Sequence, residues 1–257
     1  MARHVHLYYK SGMRIPMIVI LGFLASLLPH MANAQEETDF LFGIPRGAVS
    51  IRGGYMTASA NSDVYDFITE TLTIEKGDFN TPVFGLDVAL VVHPRIDVLV
   101  GFELSKSTTR SDYRDFEEDN GSPIMQTTAL SMFPFSGSVK FYLTPRGRDI
   151  SRFAFVPSKA RAYVGGGAGL MWYRLAQIGD FVDFVDSSIF TDRLQSSGWA
   201  AGAHVAGGLS IHMVRQLFLT VEARYGWAGT PLSEDFIGFE DIDLNGFQVT
   251  GGLEFAF

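Results

Sequence analysis

The chain has 257 residues, of which 47% are hydrophobic and only 19% are charged, a composition that excludes an intrinsically disordered protein. It contains no cysteine, which excludes disulfide frameworks, thiolate metal sites and thiol catalysis. The formal net charge of −8 has the wrong sign for a nucleic-acid-binding protein.

The N-terminus has the organisation of a secretory signal peptide. Residues 1–14 contain basic but no acidic side chains, and an uncharged apolar run follows over 15–28. This run is shorter than the roughly 20 residues that a membrane-spanning helix needs. The small residues of Ala32-Asn33-Ala34 are typical of a cleavage site. The sequence therefore predicts a cleaved signal peptide over 1–34 and an exported domain over 35–257.

Period-two alternation of apolar and polar residues dominates the exported part, which predicts β-strands with one apolar face. In the last segment, Phe247, Val249 and Leu253 share one face, while Gln248 and Thr250 lie on the other. The predicted strands are Arg46–Thr57, Pro82–His93, Ile96–Lys106, Gln126–Leu143, Ala160–Arg174, Trp199–Ile211, Leu217–Trp227 and Gly246–Phe257.

The links between these segments alternate between short and long. The long links, over 58–81, 107–125, 175–197 and 228–245, hold most of the acidic residues, whereas the short links carry basic ones. Short turns at one end and long loops at the other are typical of a transmembrane barrel. The predicted fold is therefore all-β, an eight-stranded antiparallel up-and-down transmembrane β-barrel.

Tryptophan positions support this topology. Trp172, Trp199 and Trp227 fall at the loop-side ends of predicted strands, on the outward phase, where an aromatic girdle at the membrane interface is expected. The alternative is that these rings are ordinary core aromatics of a soluble β-sandwich.

With its signal peptide and eight alternating segments, the chain resembles the outer-membrane β-barrel superfamily, in particular the small OmpA- and OmpW-like barrels. Its last residues fit the C-terminal assembly signal of that superfamily, with Thr250, Gly252, Phe255 and Phe257 at the signal positions. The resemblance implies recognition by the barrel-assembly machinery, residence in the outer membrane of a Gram-negative envelope, and contact with outer-membrane lipid and lipopolysaccharide.

Charged residues on the inward phase predict an ionic network in the lumen. An eight-stranded barrel is just wide enough for its interior to be filled by side chains, and unpaired charges there would be costly. We expect Arg52 or Arg224 to pair with a carboxylate, with Glu254 or Glu222 as candidates for Arg52, and a polar, largely plugged lumen. The network residues are Arg52, Asp87, Glu103, Lys140, Glu222, Arg224 and Glu254. OmpW-like barrels are thought to have an apolar lumen, so this chain departs from them.

Apparent catalytic and ligand motifs are weak. The glycine run of Val164–Leu170 lacks the spacing of a nucleotide loop. None of His93, His204 and His212 is expected beside a serine that lipid can reach, as a lipid-modifying enzyme needs. The acidic residues over 112–119 lack the spacing of a calcium-binding loop and are expected to be solvated. We therefore predict no enzymatic activity, no catalytic or metal-binding residues and no cofactor.

The leading hypothesis is a structural or surface-interaction protein with long acidic external loops. Two alternatives remain open: a narrow channel for small solutes or hydrophobic molecules, and a lipid-modifying barrel enzyme.

Overall fold

The computed structural model describes residues 40–257 except 119, 152, 185 and 187. The predicted signal peptide, 1–34, lies outside the described residues. No helix in the described part of the chain is long and apolar enough to cross a membrane.

The described residues form eleven strands and one α-helix. The strands are β1 (Gly47–Ala58), β2 (Thr81–His93), β3 (Ile96–Glu117), β4 (Pro123–Tyr142), β5 (Gly147–Ser151), β6 (Ala154–Pro157), β7 (Ala160–Val182), β8 (Ile189–Val214), β9 (Leu217–Thr230), β10 (Ile242–Asp243) and β11 (Gly246–Ala256). The α-helix, α1, spans Asp63–Thr71, and short 3₁₀ turns span Lys76–Phe79 and Glu234–Phe236.

Eight of these strands close into a ring in the order β1-β2-β3-β4-β7-β8-β9-β11, with every neighbouring pair antiparallel. The ring closes where β11 pairs with β1, and the Arg46 and Gly47 N–H groups donate to the Phe257 carbonyl at 2.6 and 3.0 Å. Closure satisfies the backbone groups that an open sheet leaves unpaired at its edges. The predicted eight-stranded antiparallel barrel is confirmed.

The outward face of the ring is apolar. In β2 the alternating residues Phe84, Leu86, Val88 and Leu90 are all exposed, and across the central part of the ring no outward position carries a charge. The stretch of β2 over 82–92, whose outward positions are all apolar, fits the about 9–11 residues with which a strand crosses a membrane. A soluble sandwich would bury these side chains, so the structure favours the transmembrane class.

Both ends of the ring are defined by their connections. The loop end holds the β1–β2, β3–β4, β7–β8 and β9–β11 connections, and the turn end holds the remaining connections and the Phe257 terminus. At the turn end, β5 and β6 form a small hairpin that contacts the segment before β1, where the Leu41 N–H donates to the Phe155 carbonyl at 2.8 Å.

Two of the predicted long loops are mostly β-strand in the structure, so their prediction as loops was wrong. The stretch over 107–125 consists mostly of extensions of β3 and β4, and the stretch over 175–197 consists mostly of extensions of β7 and β8. Outside the apolar band, outward positions face water and become polar, so the alternating signal disappears although strand pairing continues.

The loop over 58–81 also differs from the prediction, because it contains α1 and an apolar core. Val64, Tyr65 and Ile68 of α1 are almost fully buried, in one cluster with inward-facing Leu130 and Tyr173 of the ring. This loop-end core shows that the acidic loops are not simply solvated: each contributes acidic residues to the surface and apolar residues to the interior.

Candidate functional site

Arg52 of β1 is the centre of an ionic cluster halfway along the interior. Its Nε lies 2.9 Å from Asp87 Oδ2, its Nη2 2.5 Å from Glu103 Oε1, and its Nη1 3.4 Å from Glu222 Oε1. The three carboxylates come from β2, β3 and β9, so one guanidinium links strands from both sides of β1 across the interior. The Arg52 side chain is only 7% exposed.

Arg224 completes this central cluster. It forms ion pairs with Glu103 and, at 2.9 Å, with Glu222, so both arginines share the same two glutamates. The Tyr163 hydroxyl donates to Glu222 Oε2 at 2.9 Å, and Lys140 Nζ lies 4.2 Å from the centre of the Tyr163 ring. Six of the seven predicted lumen residues therefore lie in one layer of the interior.

The seventh, Glu254, has a partner that sequence reasoning missed. Arg161 Nη2 donates to Glu254 Oε1 at 2.8 Å, and the guanidinium lies 3.9 Å from the centre of the Phe218 ring. The prediction that Glu254 is a candidate partner of Arg52 is therefore replaced by a pair nearer the turn end. The sequence contained a signal for this pair. Residues of a strand alternate between its two faces, so Arg161, an odd number of positions from outward-facing Trp172 on the same strand, faces inward.

One more interior ion pair lies at the turn end. Arg146, from the turn after β4, pairs with the buried Asp97 at the start of β3. Within the described residues the interior then contains equal numbers of cations and carboxylates, which makes it electrically neutral. The cations are Arg52, Lys140, Arg146, Arg161 and Arg224, and the carboxylates are Asp87, Asp97, Glu103, Glu222 and Glu254.

Glycine makes room for this cluster at several inward positions, among them Gly85, where a Cβ would lie 2.8 Å from Arg52 Nε. A Cβ at Gly101 would lie 2.3 Å from Asp87 Oδ1, and a Cβ at Gly252 would lie 2.9 Å from the Arg52 Cβ. Gly252 belongs to the predicted assembly signal, so its size also matters for the packing of Arg52.

The other assembly-signal residues divide between the two faces. Thr250 is buried on the inward face, whereas Phe255 and Phe257 are exposed on the outward face at the turn end. The Phe257 backbone also seals β1 against β11, since its N–H donates to the Gly47 carbonyl at 2.9 Å.

His204 lies inside the ring, where its Nε2 is 3.1 Å from Ser138 Oγ. This pair faces the interior and not the lipid side. His93 lies at the turn end, where its Nδ1 accepts the Arg95 N–H at 3.3 Å, and His212 also lies at that end.

The three tryptophans lie on the outward face near the loop end. Trp172 is directly opposite Trp199 across β7 and β8, and its ring centre lies 5.4 Å from that of Phe133 on β4. Trp227 is paired with Ala203 and contacts Tyr225, with ring centres 4.9 Å apart. Phe133, Trp172 and Trp199 lie in one row across β4, β7 and β8, which we call the aromatic patch, and Trp227 with Tyr225 forms a separate pair on β9.

A second set of aromatic rings links the loop-end connections, and we call it the aromatic strip. Phe184, in the β7–β8 turn, lies 5.9 Å from Phe116 of β3 and 6.3 Å from Phe67 of α1, measured between ring centres. Phe67 continues the strip to Phe239 at 5.5 Å, and Phe239 to Phe236 at 6.3 Å. Phe67 and Phe184 are 42% and 58% exposed, whereas Phe236 at the other end of the strip is buried in the loop-end core.

Acidic residues flank each ring of the strip in the sequence: Asp66, Asp115, Glu117, Asp183, Asp235 and Glu240. Burial in the loop-end core, together with the charge of Asp243, raises the pKa of Tyr65 far above its ordinary value. Hydrogen bonds from Ser188 lower the pKa of the exposed Asp186. At neutral pH the exposed rings of Phe67 and Phe184 therefore lie next in sequence to carboxylates that carry negative charge.

The closed eight-stranded ring, its uncharged outward band and its charged interior define the class of this protein as a small transmembrane β-barrel of the outer-membrane type. No protein-family description and no curated protein matches the sequence.

Among solved structures, Neisserial surface protein A is similar, with a TM-score of 0.48 and 11% identity over 82% of this chain and 97% of that chain. Ail, the attachment invasion locus protein of Yersinia pestis, has a TM-score of 0.43 and 13% identity over 82% and 99% of the two chains. The outer membrane protease OmpT of Escherichia coli has a TM-score of 0.34 and 11% identity over 86% and 99%. These likenesses assign no function to this chain.

Proposed function

We propose that this protein is an integral outer-membrane barrel with a non-conducting interior, and that it acts by binding a partner at its loop end. The observation that carries the proposal is Arg52, which lies within 3.4 Å of carboxylates from three strands. A guanidinium held at the middle of so narrow a barrel leaves the interior filled by side chains.

The layers on either side of this cluster support the same conclusion. On the loop side, α1 packs its apolar face against inward residues of the ring. On the turn side, Arg161 with Glu254 and Arg146 with Asp97 form two further ion pairs. An ion or solute passing through would have to separate pairs whose exposure to water is low, which costs several kcal/mol for each pair.

The topology also gives the orientation that we propose. Outer-membrane barrels have short periplasmic turns and longer external loops. The loop end, which carries α1 and the extended β3–β4 and β7–β8 hairpins, is then external. The turn end and the Phe257 terminus are periplasmic.

The partner that fits the loop end is a cationic segment of another protein, with arginine as the preferred residue. Phenylalanine faces attract guanidinium groups, and the flanking carboxylates pair with them in two-point contacts. Exposed rings that remain beside so many carboxylates favour a ligand that is both cationic and able to stack. Catalysis is not part of the proposal, because the His204–Ser138 contact lies inside the ring, where lipid chains have no access.

Two measurements test the proposal. In planar bilayers the full chain should give no single-channel current steps above the bilayer leak. Regular current steps from the unmodified protein would contradict the non-conducting interior and favour the channel alternative.

For the loop end, a labelled arginine-rich peptide should bind to the protein in vesicles, and an acidic peptide of equal length should not. The Phe67→Ser/Phe184→Ser variant should lose this binding, whereas Phe42→Ser should keep it, because Phe42 is 88% exposed but precedes β1 at the opposite end. Equal binding by all three proteins would contradict the role of the strip.

A further inference from the structure

The outward faces of β3, β4, β7 and β8 are in register just beyond the aromatic patch. Phe133 of β4 lies opposite Trp172 of β7, which lies opposite Trp199 of β8. One step toward the loop end, Lys106 lies opposite Ser131, Ser131 opposite Arg174, and Arg174 opposite Ser197. The first charged outward row above the apolar band therefore contains two cations and two hydroxyl groups.

Two more cations lie farther along the same four strands. Arg110 of β3 is opposite Thr127, and Arg193 of β8 is opposite Ile178 of β7, which pairs with Thr127. Since neighbouring strands are about 4.8 Å apart and alternate residues about 7 Å apart, the four cations outline a patch of about 10–14 Å on each side. We call Lys106, Arg110, Arg174 and Arg193 the basic patch.

The basic patch contrasts in sign with the rest of the loop end. The outward row between its two charged rows contains Thr108, Ala129, Ala176 and Gln195. Acidic residues begin only beyond the row of Arg110 and Arg193, with Asp112 and Asp180. In a chain with a net charge of −8, three outward rows that contain four cations and no carboxylate are an exception to the acidic composition of the loop end.

The cations are also available for a ligand. Lys106, Arg110 and Arg193 are exposed, and Arg174 donates to the amide oxygen of Gln195 at 2.5 Å. None of the ion pairs between described residues involves a member of the basic patch. Four cations on one face without a carboxylate partner match a ligand with more than one negative charge.

We infer that the basic patch binds the phosphate groups of an outer-leaflet lipid. The inference rests on the proposed membrane orientation. Tryptophan rings favour the headgroup level of a bilayer, and the first row of the patch lies directly above such rings, where lipid phosphates are found. Arginine binds phosphate in two-point contacts, and lysine acts as a point charge. The Ser131 and Ser197 hydroxyls lie between and beside these cations and can donate to the same oxygens.

The test compares three probes on the full chain reconstituted in phosphatidylcholine nanodiscs: bisphosphorylated lipid A, dephosphorylated lipid A, and inorganic phosphate. Bound lipid is counted by native mass spectrometry. We expect retention of the bisphosphorylated lipid only, with no displacement by millimolar inorganic phosphate. Equal retention of both lipids would overturn the inference, and displacement by inorganic phosphate would show a site for the free ion.

Variants locate the site. Each basic residue strengthens binding to an anionic lipid surface, and removal of two should weaken lipid retention about 30-fold. The Lys106→Gln/Arg174→Gln variant should therefore lose most of the bound lipid. The matched control is Arg95→Gln/Arg148→Gln, which removes the same charge from exposed positions at the turn end and should retain it. Equal loss in both variants would overturn the inference, and unchanged heat-modifiable gel mobility shows that each variant is folded. Current and peptide-binding measurements on the same preparations separate this outcome from failure of the proposed function.

Discussion

Replacement of Arg52 by methionine tests the interior cluster most directly. The substitution keeps an unbranched side chain but removes the cation that lies within 3.4 Å of three carboxylates. Arg224 still pairs with Glu103 and Glu222. For Asp87 the remaining hydrogen bond is a long one, from the Ser50 hydroxyl at 3.4 Å, and this carboxylate stays buried.

The cost follows from that buried carboxylate. Removing one partner of a buried ion pair destabilises a protein by about 3–5 kcal/mol, which reduces the folding equilibrium constant by about two to four orders of magnitude. A second substitution, Asp87→Asn, removes the uncompensated charge and should recover part of the loss in the double variant.

The assay is urea unfolding of the barrel in vesicles, followed by far-ultraviolet circular dichroism and by gel mobility with and without heating. The matched control is Lys76→Met, because Lys76 pairs with Asp66 at a similar 2.9 Å but the two side chains are 46% and 55% exposed. An exposed pair of this kind contributes less than about 1 kcal/mol. An Arg52→Met midpoint no lower than that of Lys76→Met would refute the reasoning.

Three further predictions concern packing, assembly and pH. Gly101→Ala should lower the free energy of unfolding by about 1–3 kcal/mol, because its Cβ would lie 2.3 Å from Asp87 Oδ1, whereas Gly137→Ala, with nothing within 4 Å, should not; equal unfolding midpoints would contradict this. Deletion of Phe257 should reduce the amount of barrel in the outer-membrane fraction of cells, and Phe257→Tyr should preserve it; normal insertion of the truncated chain would exclude a role for the terminal aromatic ring. Because burial raises the pKa of Tyr65, its contribution to stability is complete below the unfolded value of about 10 and is lost at higher pH. Protease cleavage of α1 should therefore increase above about pH 10 in the unmodified protein and less in Tyr65→Phe; the same pH profile in both would argue against Tyr65 as the titrating group.

Strand number, phase and ring closure were predictable from the sequence, because one physical contrast controls them. The outward face must be apolar to contact lipid while the interior is polar, so residues such as Leu86 and Asp87 alternate with period two. All seven predicted lumen residues, from Arg52 on β1 to Glu254 on β11, lie on the inward phase.

The loop end was less predictable, because that contrast ends at the membrane boundary. Beyond Lys106 the strands continue with polar residues on both faces, and only backbone pairing, such as Arg110 with Thr127, shows that they are strands. Helix α1 was missed for a related reason. Its buried residues Val64, Tyr65 and Ile68 follow helical spacing over a single short segment that is also rich in acidic residues.

Partners within the interior were the other missing part. Parity placed Glu254 inside the ring, but its partner Arg161 lies 93 positions away in the sequence, on β7, which is not adjacent to β11. Pairing across a barrel interior depends on strand tilt and side-chain length, and neither is encoded in the alternation of a single strand.

A balanced, charged interior also explains why each of the eight ring strands turns one particular set of alternate residues inward. A buried ion pair adds little stability compared with apolar residues of the same volume, so stability alone does not explain why Arg52 and Arg224 face inward. In a barrel with an apolar exterior, an equally apolar interior would allow a strand to shift by one residue, because both faces would be acceptable to lipid. With Arg52 in β1, such a shift places a guanidinium in the bilayer at a cost of about 2–4 kcal/mol near the midplane and leaves Asp87 without its partner. The charges of the interior therefore specify the strand phase, and this explains why Arg52 and Arg224 face inward although buried ion pairs add little stability.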